Sequence, residues 1–161
     1  MAQFSRAILI GLMAGAWFFI SSRLGWPAWP GFIGWSFYFV AGAAPDALYK
    51  AGLPLLAGVL LGFGAYFAMG YLGNTMAPLA VVAIATIMML LGSHPLFAVV
   101  PAQFAGAASF FGVLNYVLST NGTAVAALGE VVITLACGLV IGLISIVVPN
   151  MILGNSAPAE S

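Results

Sequence analysis

Only six of 161 residues carry a formal charge, three basic and three acidic. Soluble domains devote roughly a quarter of their residues to Asp, Glu, Lys and Arg; at 4% this chain has almost nothing with which to face water. Its apolar residues come in long runs, 77–91 and 131–148 among them, and not in the short alternating strands of a transmembrane barrel. The solvent is therefore lipid. In hydrocarbon every backbone amide must find its partner within the protein, and helices do this segment by segment. The expected class is an all-α integral membrane protein.

A crossing takes about 20 apolar residues, so the chain has room for six, and turn-forming residues divide it accordingly into 5–22, 29–44, 53–72, 76–92, 96–118 and 123–153. No linker is long enough to separate domains, and 1–161 reads as a single transmembrane domain. The second helix is short for a crossing, because Pro30 and Pro45 bracket it, and Trp26 and Trp29 sit where an interfacial aromatic belt would lie. Arg6 before the apolar run 7–20 imitates a secretory signal, but the bulky Trp17, Phe18 and Phe19 occupy the place of a small-residue cleavage site. This segment is read as a retained first helix. The small, polar tail 155–161 reads as frayed. Six crossings put both termini on one side with Lys50 and His94, and Arg6 plus Lys50 against Arg23 makes that side cytoplasmic by the positive-inside rule.

The sequence also contains an internal repeat. Phe32-Ile33-Gly34 followed by Tyr38-Phe39 returns as Phe104-Ala105-Gly106 followed by Phe110-Phe111, at an offset of 72. Ser22-Arg23 is echoed by Ser93-His94 at 71, and Gly58 and Gly62 by Gly138 and Gly142 at 80. The change of offset implies about eight extra residues between the second and third helices of the second half. Two halves, about 5–72 and 76–153, hold three helices each. An odd number forces the second to insert upside down, so the expected architecture is six transmembrane helices as two inverted three-helix repeats, an arrangement that places solute sites near the bilayer midplane.

The stretch Trp29-Pro30-Gly31-Phe32-Ile33-Gly34 with Tyr38-Phe39, and its partner Val100-Pro101 with Phe104, Gly106 and Phe111, resembles the YcdZ-like small bacterial inner-membrane family, the domain of unknown function 1097 group. The resemblance covers nearly the whole chain. It implies a multi-helix protein of the bacterial inner membrane and transfers no catalytic residues.

At helical spacing Gly31, Gly34 and Tyr38 share one face of the second helix, and Gln103, Gly106 and Phe110 the matching face of the fifth. One reading has these helices cross through their glycines, with the rings and Gln103 lining a narrow pore; the other is helix packing through small residues with aromatic filler. A buried Gln103 amide needs partners, whether a solute or a neighbouring helix. On the pore reading, Gly106→Leu is expected to block flux without preventing insertion. Glu130 is the one acid placed inside the hydrocarbon, where an ionisable group is costly and often functional. It reads either as a gating or proton-linked residue or as an interfacial anchor two turns into the last helix. His94 reads as a loop histidine, Asp46 and Lys50 as an i, i+4 surface pair, and Cys137 as a small core residue.

Paired carboxylates, metal-ligand spacings, a nucleophilic triad and a phosphate loop are all missing from the sequence, so an enzyme is not expected, nor a cofactor or a metal. The lack of any basic cluster speaks against nucleic acid. The expected partners are the lipid bilayer, a small-molecule solute and further copies of the chain in a homo-oligomer. Charged solutes need counter-charges or carbonyl rings along their path, which favours a channel or facilitator for a small uncharged polar solute of the urea, amide or polyol kind. Two alternatives stay open: a proton-coupled secondary transporter using Glu130, and a non-transporting accessory or structural subunit.

Overall fold

The computed structural model describes residues 2–154, and all regular structure among them is helical. The tail 155–161 lies outside the described residues. There are five helices: α1 (Ala2–Arg23), α2 (Trp29–Val40), α3 (Ala47–Leu91), α4 (Val100–Ser119) and α5 (Ala124–Leu153), with a 3-10 turn at Pro95–Phe97. Three segments are long and apolar enough to cross a membrane, Gln3–Arg23, Ala47–Leu91 and Ala124–Leu153.

Sequence and structure agree on a break in the third helix and differ on its width. The separator Gly73-Asn74-Thr75 divides two expected helices, and α3, 45 residues in all, breaks at the first of these residues. Straight, it would measure about 68 Å, more than twice the roughly 30 Å hydrocarbon core. It is not straight: Gly73 leaves the helix with φ 72° and ψ 168°, a conformation open essentially to glycine alone. Asn74 and Thr75 are already helical. The break lets the chain fold back, for Met69 on the first segment and Met88 on the second line one cleft, although a straight helix would hold them about 28 Å apart.

Helices α2 and α4 start alike and end differently. Each has proline within its first turn, where a missing amide proton costs nothing and the fixed φ suits the helix. Helix α2 stops after 12 residues and α4 continues for 20, so the eight extra residues implied by the repeat appear as additional helix. At 12 residues α2 is about 18 Å long, so the residues that flank it make up the rest of any crossing in this part of the chain. Leu96 and Phe97, expected to open the fifth helix, belong instead to a separate turn over Pro95–Phe97, capped by His94, whose Nδ1 accepts the Leu96 amide at 3.2 Å. The last helix is opened by Thr123, whose hydroxyl accepts the Ala126 amide at 3.2 Å.

Helices α2, α4, α5 and the first segment of α3 share the core, which includes Tyr38, Leu55, Val59, Phe110, Val131 and Leu135. The outer elements, α1 and residues 74–91, turn most of their apolar side chains outward, among them Phe4, Leu12, Phe18, Leu79, Val82 and Leu90, as lipid requires. Arg6 in the first turns of α1 donates to Asn150 Oδ1 at 2.8 Å and to the Gly154 carbonyl. The two ends of the described chain thus lie at one end of the bundle. At the other end the Tyr116 hydroxyl donates to the Gly25 carbonyl at 3.2 Å.

Replacing Gly73 by valine should cost roughly 1–3 kcal/mol, since a β-branched residue cannot hold that backbone without strain. Unfolding in detergent micelles would measure it; a loss below about 0.5 kcal/mol would mean that the break does not depend on glycine.

Candidate functional site

Two helix crossings bring backbone against backbone. Where α2 meets α5, a Cβ added to Gly34 would overlap the Leu135 carbonyl and lie 3.2 Å from the Leu139 nitrogen, and one added to Gly138 would overlap the Gly31 carbonyl. Where α4 meets α3, a Cβ on Gly106 would overlap the Leu55 carbonyl and lie 3.1 Å from the Val59 nitrogen, and one on Gly58 would overlap the Gln103 carbonyl. The same pattern continues one turn on: a Cβ added to Gly142 would lie 2.7 Å from the Tyr38 side chain, and one added to Gly62 3.3 Å from Phe110. Each contact in one crossing corresponds to one in the other. Positions on α2 map onto α4 by adding 72 (31, 34 and 38 to 103, 106 and 110), and positions on α3 map onto α5 by adding 80 (55, 58, 59 and 62 to 135, 138, 139 and 142).

All six residues of the two expected faces are buried: Gly31, Gly34 and Tyr38 on α2, and Gln103, Gly106 and Phe110 on α4. The two faces do not cross each other. The first is applied to α5 and the second to α3, because the closest small-residue surfaces belong to those helices. With carbonyls where a methyl would have to go, neither crossing leaves space for a solute. Leucine at Gly106 would push α3 and α4 apart, so that substitution probes packing and not a lumen.

The polar members of these faces are only partly satisfied. Gln103, fully buried, donates from Nε2 to the Phe97 carbonyl at 3.0 Å, tying the 3-10 turn to α4. Its Oε1 is buried without a hydrogen-bond partner, as are the Tyr38 hydroxyl, the Ser109 hydroxyl and Glu130 Oε2. Glu130 itself is half-buried, in the second turn of α5. Ser36 is exposed and bonds its own helix at Phe32, and Asn115 is exposed. At the start of α3, Lys50 Nζ lies 2.5 Å from Asp46 Oδ2. The hydrogen bond from Lys50 holds the Asp46 carboxyl below the usual carboxylate range, although an exposed pair adds little stability.

The feature that sequence reasoning missed is a half-open pocket of about 180 Å³ between the first segment of α3 and α5, with the exposed Leu56 and Ala136 on its lining. It is lined by Gly52, Leu55, Leu56 and Val59 from α3 and by Val132, Leu135, Ala136 and Leu139 from α5. These are four pairs separated by 80 (52 and 132, 55 and 135, 56 and 136, 59 and 139). The cavity therefore sits where corresponding residues of the two halves face each other, and its side chains are all hydrocarbon. The offset of 80 already singled out these two helices; attention to polar residues led away from their apolar flank.

A second cleft, of about 450 Å³, separates residues 74–91 from α4, with Met88, Ala107 and Phe111 in its wall. At the position corresponding to Ala107 the first half carries Trp35, buried, whose Nε1 donates to Ser145 at 3.0 Å. The first half is filled by an indole where the second is open.

The family model for DUF1097, described as protein of unknown function, matches residues 7–150. The chain belongs to that family. No curated protein and no solved structure matches it.

Alanine at Gly34, Gly58, Gly106 or Gly138 should each destabilise the protein by about 1–3 kcal/mol, the usual cost of forcing atoms into a packed contact. Alanine at Gly64, which has no neighbour within 4 Å of its Cβ direction, should be neutral or stabilising by up to about 1 kcal/mol. Equal effects at all five positions, measured by reversible unfolding in micelles, would contradict the crossings described.

Proposed function

We propose that the chain crosses the bacterial inner membrane six times, as two inverted three-helix halves, and acts as a channel or facilitator for a small uncharged polar solute. One observation carries the reading: the reciprocity of the two glycine crossings. Two bundles formed one after the other would pair α2 with the first segment of α3, and α4 with α5. Instead, the second element of each half is clamped to the third element of the other half, through corresponding residues at constant offsets. This exchange is what a two-fold axis between the halves produces, and three crossings per half orient that axis within the membrane plane.

Inverted halves place a solute site at their interface near the midplane, and the α3–α5 cavity is at that interface. Its lining offers no counter-charge for an ion, which favours a neutral solute. Orientation follows from the same relation. Lys50 and Glu130 occupy corresponding positions, 80 apart, so inversion puts them at opposite faces. With Arg6 joining Lys50, the positive-inside rule makes that face, and both termini, cytoplasmic. In a homo-oligomer the lipid-facing sides of α1 and of residues 74–91 would be the surfaces available for contact.

A second reading has its own observation. Glu130 Oε2 is buried without a hydrogen-bond partner, and an acidic side chain placed within the membrane region is often functional, which favours a proton-coupled carrier. The two readings part on Glu130→Gln: a facilitator keeps its downhill flux, and a coupled carrier loses accumulation against a gradient.

Purified protein in liposomes, tested by stopped-flow swelling with acetamide, urea and glycerol, with and without a pH gradient, is expected to show protein-dependent entry of at least one solute that ignores the gradient. Entry that requires the gradient and fails in Glu130→Gln would favour the carrier. No flux of any solute, with another chain co-purifying, would replace both by the accessory-subunit reading.

A further inference from the structure

We infer that His94 is a pH-sensitive latch at the entry to α4: its neutral ring closes the turn that ties α4 to the end of α3, and protonation releases that turn. The latch does not depend on the transport reading, since it consists of hydrogen bonds among residues 91–103.

Three linked contacts make it up. Nδ1 of the exposed His94 accepts the Leu96 amide at 3.2 Å, and the His94 carbonyl accepts the Phe97 amide at 2.9 Å. The Phe97 carbonyl in turn receives Gln103 Nε2 at 3.0 Å. Gln103 is fully buried, and its own carbonyl sits against Gly58 at the α3–α4 crossing. A side chain in water is thus joined, through one turn, to a backbone contact between two helices.

Nδ1 accepts a hydrogen bond only while it carries no proton. Histidine is the side chain whose charge ordinarily changes between pH 5 and 8, and in the imidazolium both nitrogens are donors. Proton uptake at Nδ1 therefore removes the acceptor and sets an imidazolium N–H against the Leu96 N–H. The cation has a better partner close by. His94 directly follows the C-terminus of residues 74–91, with its amide bonded to the Leu91 carbonyl at 2.9 Å, and the last carbonyls of a helix attract positive charge. The neutral ring caps the turn that follows it; the charged ring caps the helix that precedes it. The latch is closed at high pH and opens as pH falls. Once open, the turn no longer holds the Phe97 carbonyl in place. Gln103, whose Oε1 already lacks a partner, then has to draw in water to satisfy its amide.

Among the described residues, no hydrogen bond or ion pair joins His94 to a charged group. The elements packed on the turn are α3 and, through Gln103, α4. Residues 74–91 carry no titratable side chain. The first segment of α3 carries Tyr49, Lys50, Tyr66 and Tyr71, and Lys50 is bonded to Asp46 at the helix start. Tyr116, the titratable residue of α4, bonds Gly25 at the far end of that helix. The ring beside His94 is Phe97, with centroids 6.1 Å apart.

The test is hydrogen exchange of the purified full chain in detergent micelles, read by mass spectrometry from pH 5 to 8 and corrected for intrinsic exchange rates. In the wild type, protection across residues 94–99 should fall by about fivefold from pH 8 to pH 5, the factor that matches loss of a typical capping side chain. The first turn of α4 should lose protection with it, while residues 135–142 at the other crossing stay constant. His94→Asn supplies a side-chain oxygen that accepts the Leu96 amide and does not titrate; it should keep the high-pH protection down to pH 5. His94→Ala should show the low protection at every pH. Protection that is flat with pH in the wild type, or that falls equally in His94→Asn, would overturn the latch. A fall shared by residues 135–142 would mark general acid unfolding and overturn it as well. No readout here involves solute movement, so liposomes that pass no solute would remove the transport reading and leave the latch standing.

Discussion

Everything else in this molecule hangs on two places where one helix backbone touches another. In a bilayer, helices gain nothing by hiding hydrocarbon from hydrocarbon; their association comes from close van der Waals contact and from the few polar bonds between them. Contact of this kind needs positions without a side chain. Gly34 and Gly138 provide them between α2 and α5, and Gly58 and Gly106 between α3 and α4. Each glycine receives a carbonyl from the facing helix, so the crossings are fixed by backbone atoms, whose positions do not vary with rotamer. The aromatic rings follow. Tyr38 over Gly142 and Phe110 against Gly62 extend each contact by a turn, and Phe63 adds an edge-to-face ring contact to Phe110 at 5.7 Å.

The two crossings are equivalent, but the halves around them have diverged. Trp17 covers Gly31 and donates from Nε1 to the Ala28 carbonyl at 2.8 Å, and Trp35 is bonded to Ser145. In the second half the position matching Trp35 holds Ala107, and the one matching Ser145 holds Ala65. Where one half has a hydrogen-bonded indole the other has a pair of methyl groups, beside the cleft. Lengthening of α4 relative to α2 is a difference of the same sort. It leaves the crossing unchanged and alters only what lies beyond it, at the end where Tyr116 reaches Gly25.

Much of this was legible in the sequence, for specific reasons. Lack of charge dictated a lipid solvent, and with it helices. The repeat could be read because its markers, glycines and rings four residues apart, are the residues that make the crossings, and close contact tolerates few replacements. The pairing of helices was not legible. A glycine face shows that something comes near, but Gly34 and Gly106 carry no mark of whether they approach each other or two different helices. The break in α3 was legible at Gly73 and only its width was not: Gly73 alone adopts the turn, while Asn74 and Thr75, turn-formers by propensity, are absorbed into the following segment. The cavity was hidden because Leu55, Val59, Leu135 and Leu139 look in sequence like any apolar core.

The crossings also restrict where the protein can move. Helices held by carbonyls against glycine Cα atoms cannot open by rotating a side chain; they separate as a whole or stay closed. Helix α2 with α5, and α4 with the first segment of α3, therefore behave as two stiff pairs, each built from both halves. Between α3 and α5 the contact around the cavity is made by leucine and valine side chains, which slide and change rotamer at little cost. Around the pocket the two pairs thus meet along a hydrocarbon seam. Charge bears on the same point. An ion in such a seam would lose its hydration with nothing to replace it, a penalty far beyond that of a neutral dipole.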